Sequence, residues 1–210
     1  MRRVLLGTRN RDKLRELQSL MRGSGITVAS LDDFHQAGDV SEDGRTFEAN
    51  ARKKARLYSR VADCLTFADD SGLMVDALNG RPGIYSARFA GRRCTYADNN
   101  RKLLALLSGK TGAKRCAKFV CVIALYYNGK PFEVVRGECR GRIADRATGR
   151  RGFGYDPVFI PKGFSRTFAE MPRAAKNRIS HRARALRAAA GCIRRFFSRN
   201  ANLSNHGRSR

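Results

Sequence analysis

Two adjacent carboxylates and a hydroxyl, Asp69, Asp70 and Ser71, interrupt an apolar segment that begins at Leu65. Side chains alternate along an extended chain, so the two carboxylates point to opposite sides unless the backbone turns between them. Such oxygens suit Mg²⁺, which is usually bound by one or two carboxylates together with substrate phosphates. The same residues also fit a turn in which Asp70 or Ser71 caps the backbone. The stretch predicts either a metal-dependent site at a strand end or a simple turn.

A second polar segment follows the first apolar run of the chain. Val4–Gly7 predicts a buried strand, and apolar residues at helical spacing after residue 13 predict a helix that ends near Gly23. Free backbone N–H groups and the helix dipole at such a helix start attract phosphate, and a lysine there adds a point charge. The segment lacks the glycines of a Walker motif. The residues of this candidate phosphate loop are Thr8, Arg9, Asn10, Arg11, Asp12 and Lys13.

An acidic loop precedes the helix that leads to the paired carboxylates. Residues 38–44 include Glu42, and Thr46 is placed to cap the N-terminus of the following helix. Apolar residues at helical spacing form its predicted buried stripe. Its predicted solvent-facing side comprises Arg52, Lys53, Lys54 and Arg56. Because this helix runs directly to Asp69 and Asp70, Glu42 is a candidate second metal ligand.

Aromatic residues, glycines and a carboxylate share one loop in the second half of the chain. Aromatic rings stack on nucleobases, and glycine lets a ligand approach the backbone. A turn with a packed phenylalanine is the alternative. Farther on, Ser180 is placed to cap a helix, which puts the next two residues at the positive end of its dipole. The candidate residues are Phe153, Gly154, Tyr155, Asp156, His181 and Arg182.

Composition predicts a globular protein with an attraction for polyanions. The 210 residues are 42% hydrophobic, and 43 Lys and Arg residues against 18 Asp and Glu residues give a net charge of +25. This charge favours nucleotides or nucleic acid as partners, although an arginine-rich composition without functional meaning is the alternative. The first apolar run is too short for a signal peptide, no membrane span is predicted, and the six cysteines are scattered, so we expect a cytoplasmic protein with reduced thiols.

The C-terminal end is basic and contains no acidic residue after Met171. Residues 1–191 are predicted to form the folded domain. Residues 192–210 are predicted to form a flexible basic tail that binds nucleic acid weakly, although Phe196 and Phe197 also fit the close of the last helix.

Six motifs, in order between Val4 and about Ala190, resemble those of the inosine triphosphate pyrophosphatase family. These enzymes hydrolyse non-standard purine nucleoside triphosphates such as dITP, ITP and XTP. The motifs are Thr8-x-Asn10-x-x-Lys13-x-x-Glu16, Thr46-Phe47-Glu48-x-Asn50-Ala51, Ala68-Asp69-Asp70-Ser71-Gly72-Leu73-x-Val75-Asp76-Ala77-Leu78, Pro82-Gly83-x-Tyr85-Ser86-Ala87-Arg88, Gly152-Phe153-Gly154-Tyr155-Asp156-Pro157 and Ile179-Ser180-His181-Arg182-x-x-Ala185-Leu186. One such motif alone is weak evidence, whereas six in register are specific.

The resemblance implies an α/β fold, with an elongated mixed β-sheet, flanking helices and two lobes around a central nucleotide-binding cleft. It also implies a homodimer that uses Mg²⁺ and cleaves the triphosphate to a monophosphate and pyrophosphate, which cleanses the nucleotide pool.

The resemblance implies a role for each candidate residue. Asp70 would accept a proton, alone or together with Asp69 or a metal-bound hydroxide, and would bind the metal. Glu42 is the nearer candidate for the second metal ligand, since Ser41 stands where the family often has glutamate. Lys13, Lys176 and Arg182 would neutralise phosphates. Thr8, Asn10 and Ser71 would donate or accept hydrogen bonds. Phe153 would stack on the base, and Asp156, His181 and Arg182 would read it.

The sequence departs from the family pattern at several positions. Arg9 stands where glycine is usual, Ser41 where glutamate is frequent, and Ala174 and Ala175 where acidic residues are frequent. Arg9 and Ser41 keep open the alternative of a catalytically decayed member of the family. The net charge of +25 and the C-terminal end without acidic residues keep open a basic nucleic-acid-binding protein.

Overall fold

The computed structural model describes residues 2–34 and 36–200, and in them it forms one mixed six-stranded sheet with flanking helices. The strands are β1 (Arg2–Leu6), β2 (Ile26–Ala29), β3 (Leu65–Val75), β4 (Cys116–Tyr127), β5 (Lys130–Ile143) and β6 (Phe159–Pro161). The helices are α1 (Arg11–Met21), α2 (Phe47–Tyr58), α3 (Tyr96–Leu106), α4 (Arg173–Ile179) and α5 (His181–Arg199). The strand order is β2-β1-β3-β4-β5-β6. The predicted α/β class and mixed sheet are confirmed.

The pairing of the strands explains why the sheet is mixed. Strand β1 pairs in parallel with β2 and with β3, and such pairs need the long crossovers that contain α1 and α2. Strands β4 and β5 form a hairpin through Asn128 and Gly129, whose φ angles of 47° and 73° suit a tight two-residue turn. Strand β6 is antiparallel to β5.

The chain divides into two compact units that interleave in sequence. Unit 1 contains the chain up to Asp70, Val122–Arg136 and the chain from Ala185 onward. Unit 2 contains Ser71–Cys121 and Gly137–Arg184. Strands β3, β4 and β5 each contribute residues to both units, and the domain predicted for residues 1–191 stays a prediction.

Each unit has an apolar core of its own. In unit 1, Val4, Leu5 and Leu6 are fully buried, as expected for a parallel strand covered on both faces. In unit 2, Phe119, Phe159 and Phe168 pack ring against ring, with centroids 4.7–6.1 Å apart. These cores hold β3, β4 and β5 in place and thereby fix the polar residues that the strands carry.

The last helix extends farther than the sequence indicates. Helix α5 continues to Arg199, and Cys192, Ile193, Phe196 and Phe197 are buried. Residues 192–199, which the sequence assigned to a flexible tail, are therefore helical, because two adjacent phenylalanines anchor the final turns. The rest of the predicted tail, residues 201–210, lies outside the described residues.

The other helix starts are close to the predictions. Thr46 caps α2 by accepting a hydrogen bond from the N–H of Ala49, as predicted. Ser180 likewise accepts a hydrogen bond from the N–H of Ala183 at the start of α5. Helix α3 begins at Tyr96, and Thr95 is its cap. Among the described residues, no helix combines the length and the apolar character needed to cross a membrane.

Candidate active site

The paired carboxylates lie within β3 and are buried. Asp69 is 0% exposed and Asp70 is 4% exposed, and the strand continues to Val75. The turn that the sequence left open is therefore excluded, and the predicted strand end at this point is wrong. Extended backbone aims the two neighbouring carboxylates differently, so each has its own partners.

Asp69 is held by the lysine at the start of α1. The ammonium of Lys13 lies 3.1 Å from Oδ2 of Asp69, and both side chains are largely or fully buried. Helix α1 begins here because the Asn10 side chain accepts hydrogen bonds from the N–H groups of Asp12 (3.0 Å) and Lys13 (3.1 Å). The cap fixes the first turn of α1 and thereby holds Lys13 beside Asp69 of β3.

Helix α2 contributes two further polar side chains to this cluster. Asn50 donates a hydrogen bond of 2.9 Å to Oδ2 of Asp70. The Lys54 ammonium donates to the backbone oxygen of Asp69 at 2.6 Å and to the carboxylate of Glu42. Asn50 and Lys54 lie four residues apart on one side of α2, facing β3. We call Lys13, Glu42, Asn50, Lys54, Asp69 and Asp70 the carboxylate cluster.

Burial governs the protonation of Asp70. Removal from water raises the pKa of its carboxyl, and the nearby Glu42 carboxylate raises it further. The charges of Lys13 and Lys54 and the hydrogen bond from Asn50 act in the opposite direction but do not cancel the effect of burial. A carboxylate whose pKa lies above its ordinary value is better matched to accept a proton near neutral pH.

The carboxylate cluster fits a hard divalent cation. Its oxygen donors are of the kind that Mg²⁺ prefers, and Glu42 is close enough to Asp70 to affect its pKa. Among residues 2–34 and 36–200, no group of three or more His, Cys, Asp or Glu side chains gathers tightly enough to hold a metal. Mg²⁺ commonly keeps several waters and binds through one or two carboxylates plus substrate phosphates, so two carboxylates are sufficient.

The rest of the candidate phosphate loop is structured around the start of α1. Thr8 is buried, and its hydroxyl accepts a hydrogen bond of 3.2 Å from the N–H of Asn10. Arg9 bonds to the backbone oxygen of Ala37 and pairs with Asp39 at 2.6 Å. Arg11 is exposed, and Asp12 lies 3.8 Å from Arg15. In this structure the Arg9 guanidinium is bonded to the loop before α2.

Unit 2 gathers a second group of candidate residues around the Phe153 ring. The Lys176 ammonium lies 5.2 Å and the Arg182 guanidinium 5.1 Å from the ring centroid. Oδ2 of Asp156 accepts hydrogen bonds from Lys176 at 2.7 Å and from the N–H of Phe153 at 2.9 Å. Asp156 and Lys176 are almost completely buried, so this pair holds the loop and the start of the helical segment together. We call Phe153, Asp156, Lys176, His181 and Arg182 the aromatic cluster.

The two residues after Ser180 are also buried in unit 2. His181 stacks on Phe119, with ring centroids 4.5 Å apart and an angle of 8° between the rings. Arg182 donates a hydrogen bond of 3.2 Å to the hydroxyl of Ser71. The position of Ser180 as the cap of α5 explains why both side chains are fixed at the helix start.

Two predicted residues of the same loop have structural partners. The hydroxyl of Tyr155 donates to the backbone oxygen of Ser86 at 3.0 Å, and burial raises the pKa of this phenol. The backbone oxygen of Gly154 accepts a hydrogen bond of 3.0 Å from Asn100, and Gly154 has a φ angle of 65°. Glycine suits this backbone conformation, which lets the loop turn beside Phe153.

Two residues of the carboxylate cluster were missed as site residues by the sequence analysis. Lys54 was assigned to the solvent-facing side of α2, but it is 6% exposed. Asn50 appeared only within a motif, although it is 1% exposed and bonds Asp70. Their spacing of four residues beside the apolar stripe was the available signal. The run of four basic residues around Lys54 obscured it.

Comparisons with known proteins identify relatives that cover most of the chain. The sequence model of the Ham1 family matches residues 4–191. A dITP/XTP pyrophosphatase of Geobacter sulfurreducens is 46% identical over 186 residues, which cover 89% of this chain and 94% of that protein. A dITP/XTP pyrophosphatase of Shouchella clausii is 45% identical over 188 residues, covering 90% of this chain and 94% of that protein.

Solved structures show the same similarity in three dimensions. A HAM1 protein from Coxiella burnetii superposes with a TM-score of 0.84 at 38% identity, covering 93% of this chain and 100% of that one. A nucleoside-triphosphatase, dITP/XTP pyrophosphatase, from Mycobacterium abscessus gives a TM-score of 0.73 at 43% identity, covering 89% and 98%. The family model spans most of the chain, and the identities are well above those of a shared fold alone, so this protein belongs to the Ham1 family.

Proposed function

We propose that the protein hydrolyses non-standard purine nucleoside triphosphates, dITP, ITP and XTP, to the monophosphate and pyrophosphate. The observation that carries the proposal is the buried carboxylate cluster, in which Asp70 has a raised pKa beside two lysines. The names of the relatives support the same reaction. We further propose that the enzyme works as a homodimer in the cytoplasm, as the resemblance to the family implies.

The carboxylate cluster supplies the groups that cleavage needs. A water molecule attacks the α-phosphorus, Asp70 accepts its proton, and the bond from that phosphorus to the bridging oxygen breaks to release pyrophosphate. Lys13 places a positive charge beside the attacking side, where negative charge increases in the transition state. Lys54 holds Glu42 and the backbone at Asp69 in position. The Thr8 hydroxyl and the side-chain amide N–H of Asn10 supply hydrogen bonds to phosphate, because the backbone N–H groups of Asp12 and Lys13 already donate to Oδ1 of Asn10.

Glu42 and Asp70 are the residues that would hold Mg²⁺. When bound, the ion would neutralise phosphate oxygens and acidify water. Asn50 fixes the orientation of the Asp70 carboxylate by bonding one of its oxygens. This arrangement keeps Asp70 oriented both for the metal and for the proton that it accepts.

The aromatic cluster of unit 2 supplies the groups that would recognise the base. Phe153 offers a ring for stacking, and Lys176 and Arg182 place donors beside that ring. Hypoxanthine and xanthine carry an acceptor at position 6, whereas adenine carries an amino group there. Donors next to the ring therefore favour the keto bases, because the amino group of adenine offers them no acceptor at position 6. Asp156 and Ser71 fix the orientation of these donors, and His181 is held against Phe119.

Pyrophosphate release with a series of substrates tests the proposed function. We expect dITP and XTP to be hydrolysed at least about 100-fold more efficiently than dATP, since a site built to bond one pattern of donors and acceptors discriminates strongly. The products should be the monophosphate and pyrophosphate, identified by ³¹P NMR, and turnover should require Mg²⁺. Release of inorganic phosphate and a diphosphate, or equal rates with dATP, would contradict the proposal.

The variant Glu42→Gln tests the proposed metal ligand. It removes one negative charge and one strong oxygen donor, so we expect the Mg²⁺ concentration for half-maximal dITP hydrolysis to rise about tenfold. Asp43→Asn is the matched control, because Asp43 is the neighbouring acid and its carboxylate pairs with the more exposed Lys53 at 2.7 Å. An unchanged Mg²⁺ titration for Glu42→Gln, or the same shift in both variants, would remove Glu42 from the metal site.

A further inference from the structure

A concave pocket of about 690 Å³ opens on one face of β4, β5 and β6 within unit 2. Side chains alternate along β5, so Cys139 and Ile143 lie in the apolar core while Arg140 and Arg142 face the other way. The pocket includes both arginines and lies on the face of the sheet opposite to that core. None of the residues of the carboxylate cluster or the aromatic cluster lines it. We call it the basic pocket.

The pairing of β5 with β6 places like charges next to one another in the basic pocket. Arg142 lies opposite Ile160, and Gly141 lies opposite Pro161. One step farther, the N–H of Lys162 donates to the backbone oxygen of Arg140 at 2.9 Å, so these two cationic residues are also opposite each other. Like charges at opposite positions of an antiparallel pair destabilise a sheet. Their presence here indicates a role other than stabilising the fold.

Three of the four cationic residues that line the basic pocket have no ion pair among the described residues. Among the described residues, Arg140, Arg142 and Lys162 form no ion pair. The fourth cationic residue of the lining, Lys118, lies 3.4 Å from Glu138 and is already paired. Asp76 is the one acidic residue in the lining. Three cationic groups are therefore available to an anion.

The remaining lining of the basic pocket is apolar and aromatic. Ile160 and Pro161 are buried beside the arginines, and Phe164 is 47% exposed at the end of the following turn. An exposed phenylalanine ring offers a stacking surface for an unpaired base, and this kind of contact tolerates any base sequence. A volume of about 690 Å³ is in the range of pockets that hold one small ligand, which allows one nucleotide at a time to enter.

We propose that the basic pocket binds single-stranded nucleic acid, with phosphates at Arg140, Arg142 and Lys162 and one base against Phe164. Arg140 and Arg142 are two residues apart on one face of a strand, about 7 Å along it, a distance similar to that between successive phosphates of an extended strand. The cationic groups of Arg140, Arg142 and Lys162 favour a polyanion over a second copy of the chain at this pocket, because 43 Lys and Arg residues outnumber 18 Asp and Glu residues on that copy too; the proposed homodimer would use another face. A duplex keeps its bases stacked and offers none to Phe164.

Charge reversal at the two arginines tests this proposal. The probe is a fluorescently labelled single-stranded RNA of about 12 nucleotides, within the site sizes of known single-strand binders, followed by fluorescence anisotropy. The double variant Arg140→Glu/Arg142→Glu should bind at least tenfold more weakly, and the slope of log K against log salt should become shallower by about 1.4, for two lost phosphate contacts. The matched control is Arg92→Glu/Arg93→Glu, an exposed turn of the same unit with the same change in charge.

Further variants and probes make the outcome decisive. Phe164→Ala keeps the charge and should weaken RNA binding about fivefold or more, since stacking contributes about 1–3 kcal/mol per base. A native far-UV circular dichroism spectrum and a cooperative thermal transition show that each variant is folded. If the double glutamate variant does not fold, Arg140→Gln/Arg142→Gln takes its place, with Arg92→Gln/Arg93→Gln as its control.

Four results would overturn the proposal. Equal weakening in the control variant would mean that overall charge alone attracts RNA. Equal affinity for a duplex of the same length would exclude stacking on Phe164. Displacement of the RNA by a free nucleoside monophosphate at the same nucleotide concentration would indicate a pocket for small nucleotides. A change in oligomeric state on gel filtration of the arginine variants would assign this face to contact between copies of the chain. The proposal is independent of catalysis, because none of these readouts depends on turnover.

Discussion

Replacement of Asp70 by asparagine is expected to reduce kcat for dITP by about 10³-fold, the range that a general base contributes. The amide keeps the shape of the side chain and can still accept the hydrogen bond from Asn50. It cannot take a proton from water. Steady-state rates at saturating dITP and Mg²⁺ provide the measurement, and rates near those of the unaltered enzyme would exclude Asp70 as the base.

The same substitution is expected to increase thermal stability at neutral pH. The pKa of Asp70 is raised in the folded protein, chiefly by burial, so the folded state binds the proton more tightly than the unfolded state does. Below the pKa of the unfolded state, about 3.8, the carboxyl is protonated in both states, and its ionisation does not change the free energy of unfolding. As the pH rises through the folded pKa, ionisation of the buried group lowers the free energy of unfolding. The gain in Tm for Asp70→Asn should therefore be present at pH 7.5 and absent near pH 4.

Asp69→Asn is the matched control for this prediction. Asp69 is the adjacent and equally buried carboxylate, but it has an ion pair with Lys13 at 3.1 Å. Loss of that pair leaves a largely buried ammonium beside an uncharged amide, so the Tm should fall. Calorimetry without added metal at both pH values compares the two variants. If both variants are destabilised at pH 7.5, the charges and the hydrogen bond around Asp70 stabilise its ionised carboxylate more than burial destabilises it, and the prediction is wrong.

Local sequence patterns were sufficient to predict much of this fold. The apolar run Val4–Leu6 and the cap at Thr46 each depend on neighbouring residues, and both are present in the structure. Their physical causes act over a few positions, which is why a sequence pattern reveals them. Ser180 as the cap of α5 is a third case.

Contacts between distant residues set the limit of the sequence analysis. Lys54 is buried because its ammonium donates hydrogen bonds to Glu42 and to the backbone oxygen of Asp69. The run of basic residues in α2 does not indicate either of these partners. Residues 192–199 are helical because Phe196 packs on Tyr127 and Phe132, more than sixty residues earlier in the chain. Strand pairing brings such distant residues together, and a local sequence pattern does not predict which strands pair. The contact between Arg140 and Lys162 also depends on strand pairing and was therefore not predicted.

Substitution of Lys54 by methionine is expected to have the second large effect. Methionine keeps the length of the side chain but removes the buried ammonium that donates to the backbone oxygen of Asp69 and to the Glu42 carboxylate. A hydrogen bond from a charged donor contributes about 1.5–3 kcal/mol, so we expect the free energy of unfolding to fall by that amount in urea titrations. Lys53→Met is the matched control, because Lys53 is the adjacent residue and pairs with Asp43 near the surface, where ion pairs contribute little.

The pH dependence of catalysis separates the electrostatic role of Lys54 from its structural role. The charge of Lys54 lowers the pKa of Asp70 and partly offsets the effect of burial. Without that charge the pKa of Asp70 rises further, and Asp70 must lose its proton before it can accept one from water. The acid limb of the kcat/KM profile for dITP should therefore move to higher pH in Lys54→Met and stay in place in Lys53→Met. A loss of stability with an unmoved acid limb would mean that Lys54 supports the fold at β3 but does not tune the base.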